Sequence, residues 1–216
     1  MTPAPKIDLV LVDADVISKL AHWELLDFLP QAFDLPWHSF ATTPSVQYRA
    51  RKATTKPDRL FCSQAAAEAA LNAVAKMSSL PAILDSEFIL AAQRLPGLDP
   101  GEAVLMATAS ANPNVYVLTG DKRALAALAF STHVVKSDQL NGRLICLEQF
   151  VLHVLNQVGL DRLRTHLCRE PQVDRVIAVV MGSTCTALEI DVRDGLESYV
   201  KDAKGNSGTL LAIWPP

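Results

Sequence analysis

Acidic residues stand at three points of this chain, each inside a short ordered motif. LVLVDADVI places Asp13 and Asp15 directly after an apolar run, LDPGEAVLMATA contains Asp99 and Glu102, and VYVLTGDKRA contains Asp121. A group of carboxylates repels itself unless a cation is bound to it. Oxygen ligands of this kind favour Mg²⁺ or Mn²⁺, held by a few carboxylates together with water and substrate phosphate. If the three segments meet in the fold, they predict a site for one or two such cations.

The same acids also suit helix capping, which is a purely structural role. Asp15 can cap the helix predicted after it, and Asp99 with Glu102 fits a capping box that has a proline at the first helical position. Thr119 or Asp121 can cap the next helix. Capping explains each acid, taken singly, about as well as metal binding does. Their order along the chain, at two strand ends and one helix start, favours the metal.

The segments around the acids alternate between strands and helices. LVLVDADVI has the length and composition of a buried parallel strand, and VYVLT combines β-branched and aromatic residues. This alternation predicts an α/β fold, a three-layer α/β/α domain with a parallel sheet of four or five strands. Ligands of such sheets bind beyond the carboxyl ends of the strands, which is where Asp13 and Asp121 fall.

The remaining elements follow from periodicity and breaker residues. The domain is expected to span residues 1–157, and residues 158–216 form a C-terminal extension whose role the sequence does not indicate. In the extension, VDRVIAVVM fits a strand or a helix, and TALEIDVRDGLESYVKDA is predicted to be a helix that KGNSG ends. The other predicted helices are SKLAHWELLDFLPQAF ending near Pro30, Val46 to Ala53, CSQAAAEAALNAVAKMSS, SEFILAAQRL, DPGEAVLMATASA, GDKRALAALA and one after Leu147, with further strands at His133 to Val135 and Leu144 to Leu147.

Composition and charge limit the classes of function. Half of the 216 residues are apolar, and the net charge of −3 does not by itself indicate nucleic-acid binding. Positive charge is concentrated in RARKATTKPDR, from Arg49 to Arg59. This segment is either a solvated helix end or an edge that contacts phosphates, since Lys and Arg supply most sequence-independent affinity for a polyanion.

Several features are missing from the sequence. The N-terminal residues do not form a signal peptide, and no apolar run reaches the roughly 18 residues of a membrane span, so a cytoplasmic protein is expected. The four cysteines form no C-x-x-C pair, which argues against a structural zinc site and against a disulfide framework and suggests a reducing compartment. The five histidines show no metal-ligand spacing.

Taken in order, LVDADVISKL, DPGEAVLMATA and VLTGDKRALAALA resemble the PIN-domain ribonucleases, a family that includes bacterial toxin nucleases. The resemblance covers about Ile7 to Gln157, with eighteen residues between Glu102 and Asp121. It implies a metal-dependent endoribonuclease in which Asp13, Glu102 and Asp121 bind Mg²⁺ or Mn²⁺ and carry catalysis. An RNA substrate, an antitoxin-like protein partner and a homodimer are further expectations. Supporting metal ligands would be Asp15 and Asp99, and RNA contacts would come from Arg49, Arg51, Lys52, Lys122 and Arg123.

One position departs from the family pattern. The family often carries another acid in the helix after a P-x-V segment, but in PSVQYRARK that position holds Arg49. Either another acid compensates, with Asp99, Glu68 and Glu87 as candidates, or the metal site is depleted. In the second case the domain would be a catalytically weakened module that binds RNA or protein.

A different enzyme class also fits the first motif. D-x-D-x-V-I after an apolar strand resembles the haloacid-dehalogenase-like phosphatases, in which Asp13 would be the nucleophile and Asp15 the general acid and base. Thr119 would then bind phosphate, Lys136 would be the lysine, and Asp191 with Asp194 the late acidic pair. This alternative leaves DPGEAVLMATA unexplained.

Overall fold

A four-stranded parallel sheet forms the centre of the computed structural model, which describes residues 6–81, 86–131 and 137–215. The strand order is β2-β1-β3-β4, so β1 has β2 on one side and β3 on the other. Helices pack on both faces, which confirms the predicted α/β/α class. The strands are β1 (Leu9–Val12), β2 (Phe40–Ala41), β3 (Val115–Thr119) and β4 (Leu144–Cys146).

Helices account for most of the remaining described residues. The predicted capping box at the start of α6 is confirmed, with Asp99 and Glu102 each bonding the other's backbone N–H. The helices are α1 (Ala14–His22), α2 (Phe28–Phe33), α3 (Pro44–Ala53), α4 (Gln64–Val74), α5 (Ser86–Ala92), α6 (Pro100–Ser110), α7 (Lys122–Phe130), α8 (Leu147–Val158), α9 (Leu160–Leu167), α10 (Arg175–Met181) and α11 (Glu189–Ser207), with 3₁₀ turns at Trp37–Ser39, Ser137–Leu140 and Pro171–Val173.

Two hydrophobic cores lie on opposite faces of the sheet. Val10 and Val12 of β1 face one core, and Leu11 faces the other. Successive side chains of a strand point to opposite faces, so a strand covered on both sides needs apolar residues at every position. This explains why all four residues of LVLV are apolar and why the first polar residue, Asp13, comes directly after the strand.

The long helix predicted to end near Pro30 is wrong. α1 ends at His22, and the chain turns through Glu24, whose φ is 56°, before α2 begins at Phe28. Pro30 lies in the first turn of α2, where its missing N–H leaves no intrahelical hydrogen bond unmade. The periodic apolar residues therefore belong to two helices whose directions differ.

Other sequence expectations change in smaller ways. β2 was not predicted, because two residues show no periodicity. VDRVIAVVM is a helix, and α11 continues through KGNSG as far as Ser207. The strand predicted at His133 to Val135 lies outside the described residues.

The C-terminal segment packs against the sheet and contributes to both cores. Leu211 forms a parallel bridge with Leu144 of β4, and the Ala212 N–H donates to the Leu144 carbonyl at 2.7 Å. Trp214 is buried against Phe33 and Phe150, with ring centroids 4.7 and 6.5 Å away. The last residues therefore extend the edge of the sheet beside β4.

One disulfide joins Cys168 to Cys185, although the cysteine spacing had argued against a disulfide framework. The two residues are 17 apart in sequence, and α10 with the turns around it folds back to bring them together. Sequence spacing carries no signal for such a pair, and the expectation of a reducing compartment loses its support. Among the described helices, none is both long and apolar enough to cross a membrane.

Replacing Trp214 with alanine is expected to lower the free energy of unfolding by about 3 kcal/mol, since a buried indole leaves a large cavity. For a chain of this size that corresponds to a fall in Tm of about 6–12 °C. Ile213→Ala is the control, because the Ile213 side chain is 85% exposed. Equal Tm values for the two variants would contradict the anchoring role of Trp214.

Candidate functional site

The carboxyl ends of β1 and β3 open into a cavity of about 500 Å³. After β1 the chain forms β2 on one side of it and then β3 on the other side. Open parallel sheets bind ligands at such a reversal of strand order. The predicted acids are brought together here. The acids that line the cavity are Asp13, Asp15, Asp99, Glu102, Asp121, Glu148 and Asp174, and the cations are Lys19, Arg49, Lys122 and Arg123.

Four of the predicted acids cap helices with one carboxylate oxygen each. Asp13 Oδ1 accepts from the Ala14 N–H at 2.7 Å, and Asp121 Oδ1 accepts from the Arg123 N–H at 2.7 Å. Asp99 and Glu102 use one oxygen each for their capping box. The cap of α1 is therefore Asp13, and the expectation that Asp15 caps this helix is wrong.

Each capping acid has a second carboxylate oxygen that capping does not use. In the described part of the chain, Asp13 Oδ2, Asp99 Oδ2 and Glu102 Oε1 have no hydrogen-bond or ion-pair partner. Asp121 Oδ2 has only the Arg123 guanidinium, 3.5 Å away. Capping and metal binding are thus compatible at each residue, because capping uses one oxygen and leaves the other for a ligand.

Burial and crowding make it costly to charge these carboxylates. Burial, followed by the neighbouring carboxylate of Asp15, raises the pKa of Asp13 to about 7. Burial, with smaller contributions from Asp13, Asp99 and Asp121, raises the pKa of Glu102 to about 8. A bound cation would lower both pKa values, since it favours the charged form of each acid.

Glu148 is a further acid of the cavity that the sequence reading missed. It follows β4 in the first turn of α8 and is 3% exposed. Its Oε1 accepts from Lys122 Nζ at 2.6 Å, while its Oε2 is buried and has no hydrogen-bond partner among the described residues. A carboxylate oxygen left unpaired in a buried position is costly unless a ligand completes it. The signal in the sequence was an acid directly after the strand LIC, which parallels Asp13 and Asp121.

The donor set fits a hard divalent cation held partly through water. Several acids with a second carboxylate oxygen not used in capping line one cavity, and Glu148 Oε2 has no hydrogen-bond partner in the described part of the chain. Among the described residues, the cavity acids do not bring three carboxylate oxygens within 4.8 Å of one another. Mg²⁺ commonly keeps several of its waters and takes only one or two protein carboxylates, so this spacing suits it.

Lys19 divides the acids of the cavity into two groups. Its Nζ lies 2.5 Å from Asp15 Oδ2 and 2.7 Å from Asp174 Oδ2. Burial opposes its charge, but the two carboxylates raise the pKa of Lys19 above its usual value. Asp15 is therefore already neutralised by a protein cation, unlike Asp13. Gly120 permits this contact, because a Cβ there would lie 2.6 Å from Asp15 Oδ2.

Arg49 lines the cavity at the position where the family often has an acid. Its Nε and Nη2 donate to Asp58 Oδ2 at 3.2 and 3.1 Å, which fixes the guanidinium at the rim. Of the three candidate compensating acids, Asp99 lines the cavity, whereas Glu68 and Glu87 are exposed and do not.

Of the other predicted RNA contacts, two line the cavity and two do not. Lys122 and Arg123 line the cavity, and the Arg123 side chain is 86% exposed. Arg51 and Lys52 are exposed on α3 but do not line the cavity. The basic residues nearest to the acids are therefore Arg49, Lys122 and Arg123.

Comparisons with protein-family models, with curated proteins and with solved structures found no match to this chain. The resemblance to PIN-domain ribonucleases therefore stays a prediction. For the phosphatase alternative, Asp191 and Asp194 lie exposed on α11 and do not line the cavity. Lys136 lies outside the described residues. The acidic pair that this alternative assigned to Asp191 and Asp194 is therefore not at the cavity.

Proposed function

We propose that this protein is an endoribonuclease that uses Mg²⁺ or Mn²⁺ to hydrolyse RNA phosphodiester bonds. The observation that supports it best is the convergence of Asp13, Glu102 and Asp121 from three separate segments on one cavity at the sheet edge. A purely structural role explains one oxygen of each acid and leaves the second unexplained. Asp13, Glu102 and Asp121 would hold the cation, with Asp15, Asp99 and Glu148 supporting them.

A bound divalent cation supplies a more acidic water and stabilises negative charge on phosphate. The protein's own contribution is to hold the acids ready, since the N-terminal turns of α1, α6 and α7 fix one oxygen of each. Asp13 or Asp121 orients the attacking water toward the phosphorus, in line with the leaving oxygen. Arg49 and Arg123, at the rim, contact the RNA backbone.

The first test is cleavage of a labelled mixed-sequence RNA by the purified full chain. Cleavage is expected with Mn²⁺ or Mg²⁺ and is expected to stop when EDTA is in excess. Cleavage that continues in EDTA would contradict a metal-dependent mechanism. RNA binding without cleavage in either metal, by protein shown to be folded, would instead support the weakened binding module implied by Arg49.

Arg49→Ala is expected to weaken RNA binding about 3- to 10-fold at low salt and to reduce the slope of log K against log salt by about 1, because one phosphate contact is lost. Arg51→Ala is the matched control, since Arg51 lies two residues further along α3 but outside the cavity. Equal effects of the two substitutions would place the RNA along the exposed helix rather than at the cavity rim.

The toxin–antitoxin assignment is a finer proposal. A partner that covers an acidic cavity needs basic side chains, and the acids here outnumber the cations among the cavity residues. An antitoxin-like protein would inhibit cleavage by inserting such a side chain among Asp13, Glu102 and Asp121. A homodimer is likewise proposed only from the family resemblance.

A further inference from the structure

A second cluster of metal-ligating side chains lies outside the acid cavity. His22 ends α1, Cys62 lies in the loop before α4, and Glu170 precedes the 3₁₀ turn Pro171–Val173. One ligand atom from each of these residues lies within 4.8 Å of the others. The positions 22, 62 and 170 are far apart in the sequence, which is why the histidines show no metal-ligand spacing.

The three groups form a closed triangle. His22 Nδ1 lies 3.0 Å from Glu170 Oε2, and Cys62 Sγ lies 3.9 Å from both of these atoms. The centre of a triangle with these edges is about 2.1 Å from each corner, close to the ~2.0–2.3 Å that zinc makes with N, O and S ligands. We infer that His22, Cys62 and Glu170 bind one Zn²⁺ ion.

A nucleophilic thiol is the competing explanation, and the geometry does not favour it. In a catalytic relay the thiol lies on the lone-pair axis of the imidazole nitrogen that faces away from the acid. Here Cys62 Sγ is 3.5 Å from His22 Nε2 but also 3.9 Å from both Nδ1 and Glu170 Oε2, which places it beside the ring and within reach of the acid. Burial and the Glu170 carboxylate raise the pKa of the Cys62 thiol, which opposes an activated thiolate. A divalent cation satisfies sulfur and carboxylate together.

Surrounding structure buries His22 and holds the backbone of Glu170. The His22 side chain is 1% exposed, and the Trp23 indole N–H donates to the Glu170 carbonyl at 3.1 Å. Cys168, which forms the disulfide with Cys185, lies two residues before Glu170. The Cys62 sulfur lies 3.5 Å from His22 Nε2 and 3.9 Å from Nδ1, so it sits beside the ring rather than on the lone-pair axis of one nitrogen. Zinc binding therefore requires the imidazole to turn about its Cβ–Cγ bond.

Three protein ligands leave a fourth position open. A cavity of about 210 Å³, lined by Ser18, Arg59 and Gln172 among others, adjoins His22 and Cys62 and provides room for a water at that position. Asp15, Lys19 and His22 lie on one face of α1 at spacings of four and three residues. The zinc site thus ties the C-terminal segment to α1 next to the pairing of Lys19 with Asp174.

The test is a zinc titration of the metal-free full chain in thiol-free buffer, followed by Co²⁺ as a spectroscopic probe. We expect one Zn²⁺ per chain, and a Co²⁺ complex with strong visible bands and a sulfur-to-cobalt charge-transfer band in the near ultraviolet. Cys62→Ser is expected to lower the affinity at least 100-fold and to remove the charge-transfer band. Glu170→Gln, a second variant at a partly exposed position, is expected to weaken binding as well.

Two controls separate this site from the acid cavity. The Asp13→Asn/Glu102→Gln double variant is expected to keep the zinc affinity and the cobalt spectrum, whatever its effect on RNA cleavage. His38→Gln removes an exposed histidine and should also change nothing. Zinc binding that Cys62→Ser leaves unchanged, or the absence of zinc binding by the folded chain, would overturn the inference. Neither result bears on the proposed nuclease.

Discussion

Asp121→Asn is expected to lower the rate of Mn²⁺-dependent RNA cleavage by about 100-fold or more while leaving the protein folded. Asn keeps the oxygen that accepts from the Arg123 and Ala124 N–H groups, so the cap of α7 survives. What disappears is one negative charge beside the proposed cation, where fixed charges act directly on the reacting phosphate. The measurement is kcat with saturating RNA and Mn²⁺, beside the circular dichroism spectrum and Tm of the same sample.

Asp161→Asn is the matched control for this substitution. Asp161 also lies in the first turn of a helix, α9, but it is exposed and outside the cavity. Its replacement is expected to leave kcat unchanged. If Asp121→Asn keeps full activity, Asp121 is only a cap, and the proposed catalytic set is wrong at that residue.

Glu102→Gln is expected to make the metal-free protein more stable at pH 8, by about 4 kcal/mol or about 8–16 °C in Tm. The pKa of Glu102 is raised in the folded chain to about 8. Between the unfolded pKa of 4.5 and pH 8, the folded state therefore holds a proton that the unfolded state has released. Stability that is fully present below pH 4.5 is lost as pH rises toward 8. Glutamine stays neutral, keeps the capping-box acceptor and removes this loss.

The Glu102→Gln variant also tests whether Glu102 binds the cation. Mg²⁺ or Mn²⁺ should raise the Tm of the wild-type chain at pH 8, because a ligand that binds only the folded state stabilises it. The rise should be much smaller in Glu102→Gln. Glu197→Gln, at an exposed position of α11, is the control and should behave as wild type. Thermal scans at pH 5 and pH 8, with and without metal, cover all four cases. A Glu102→Gln variant less stable than wild type at pH 8 would contradict the raised pKa.

Local sequence was sufficient for much of the fold. An unbroken apolar run followed by Asp13, and a β-branched run followed by Asp121, identified the two central strands and the edge where their carboxyl ends meet. The capping box at Asp99 and Glu102 was also readable, because its hydrogen bonds join residues three apart. These features depend on side-chain periodicity and short-range hydrogen bonding, which a single sequence displays directly.

Tertiary structure decided the rest, since it depends on residues far apart in the chain. The ion pairs of Lys19 with Asp174 and of Lys122 with Glu148, the buried Glu148 oxygen and the pairing of Cys168 with Cys185 all arise only when segments far apart in the chain pack together. The contact between His22 and Glu170 likewise joins residues far apart in the sequence. The sequence alone determined which residues can carry charge or bind a metal. Packing determined which of them are buried together, and burial is what raises the pKa of Asp13 and Glu102.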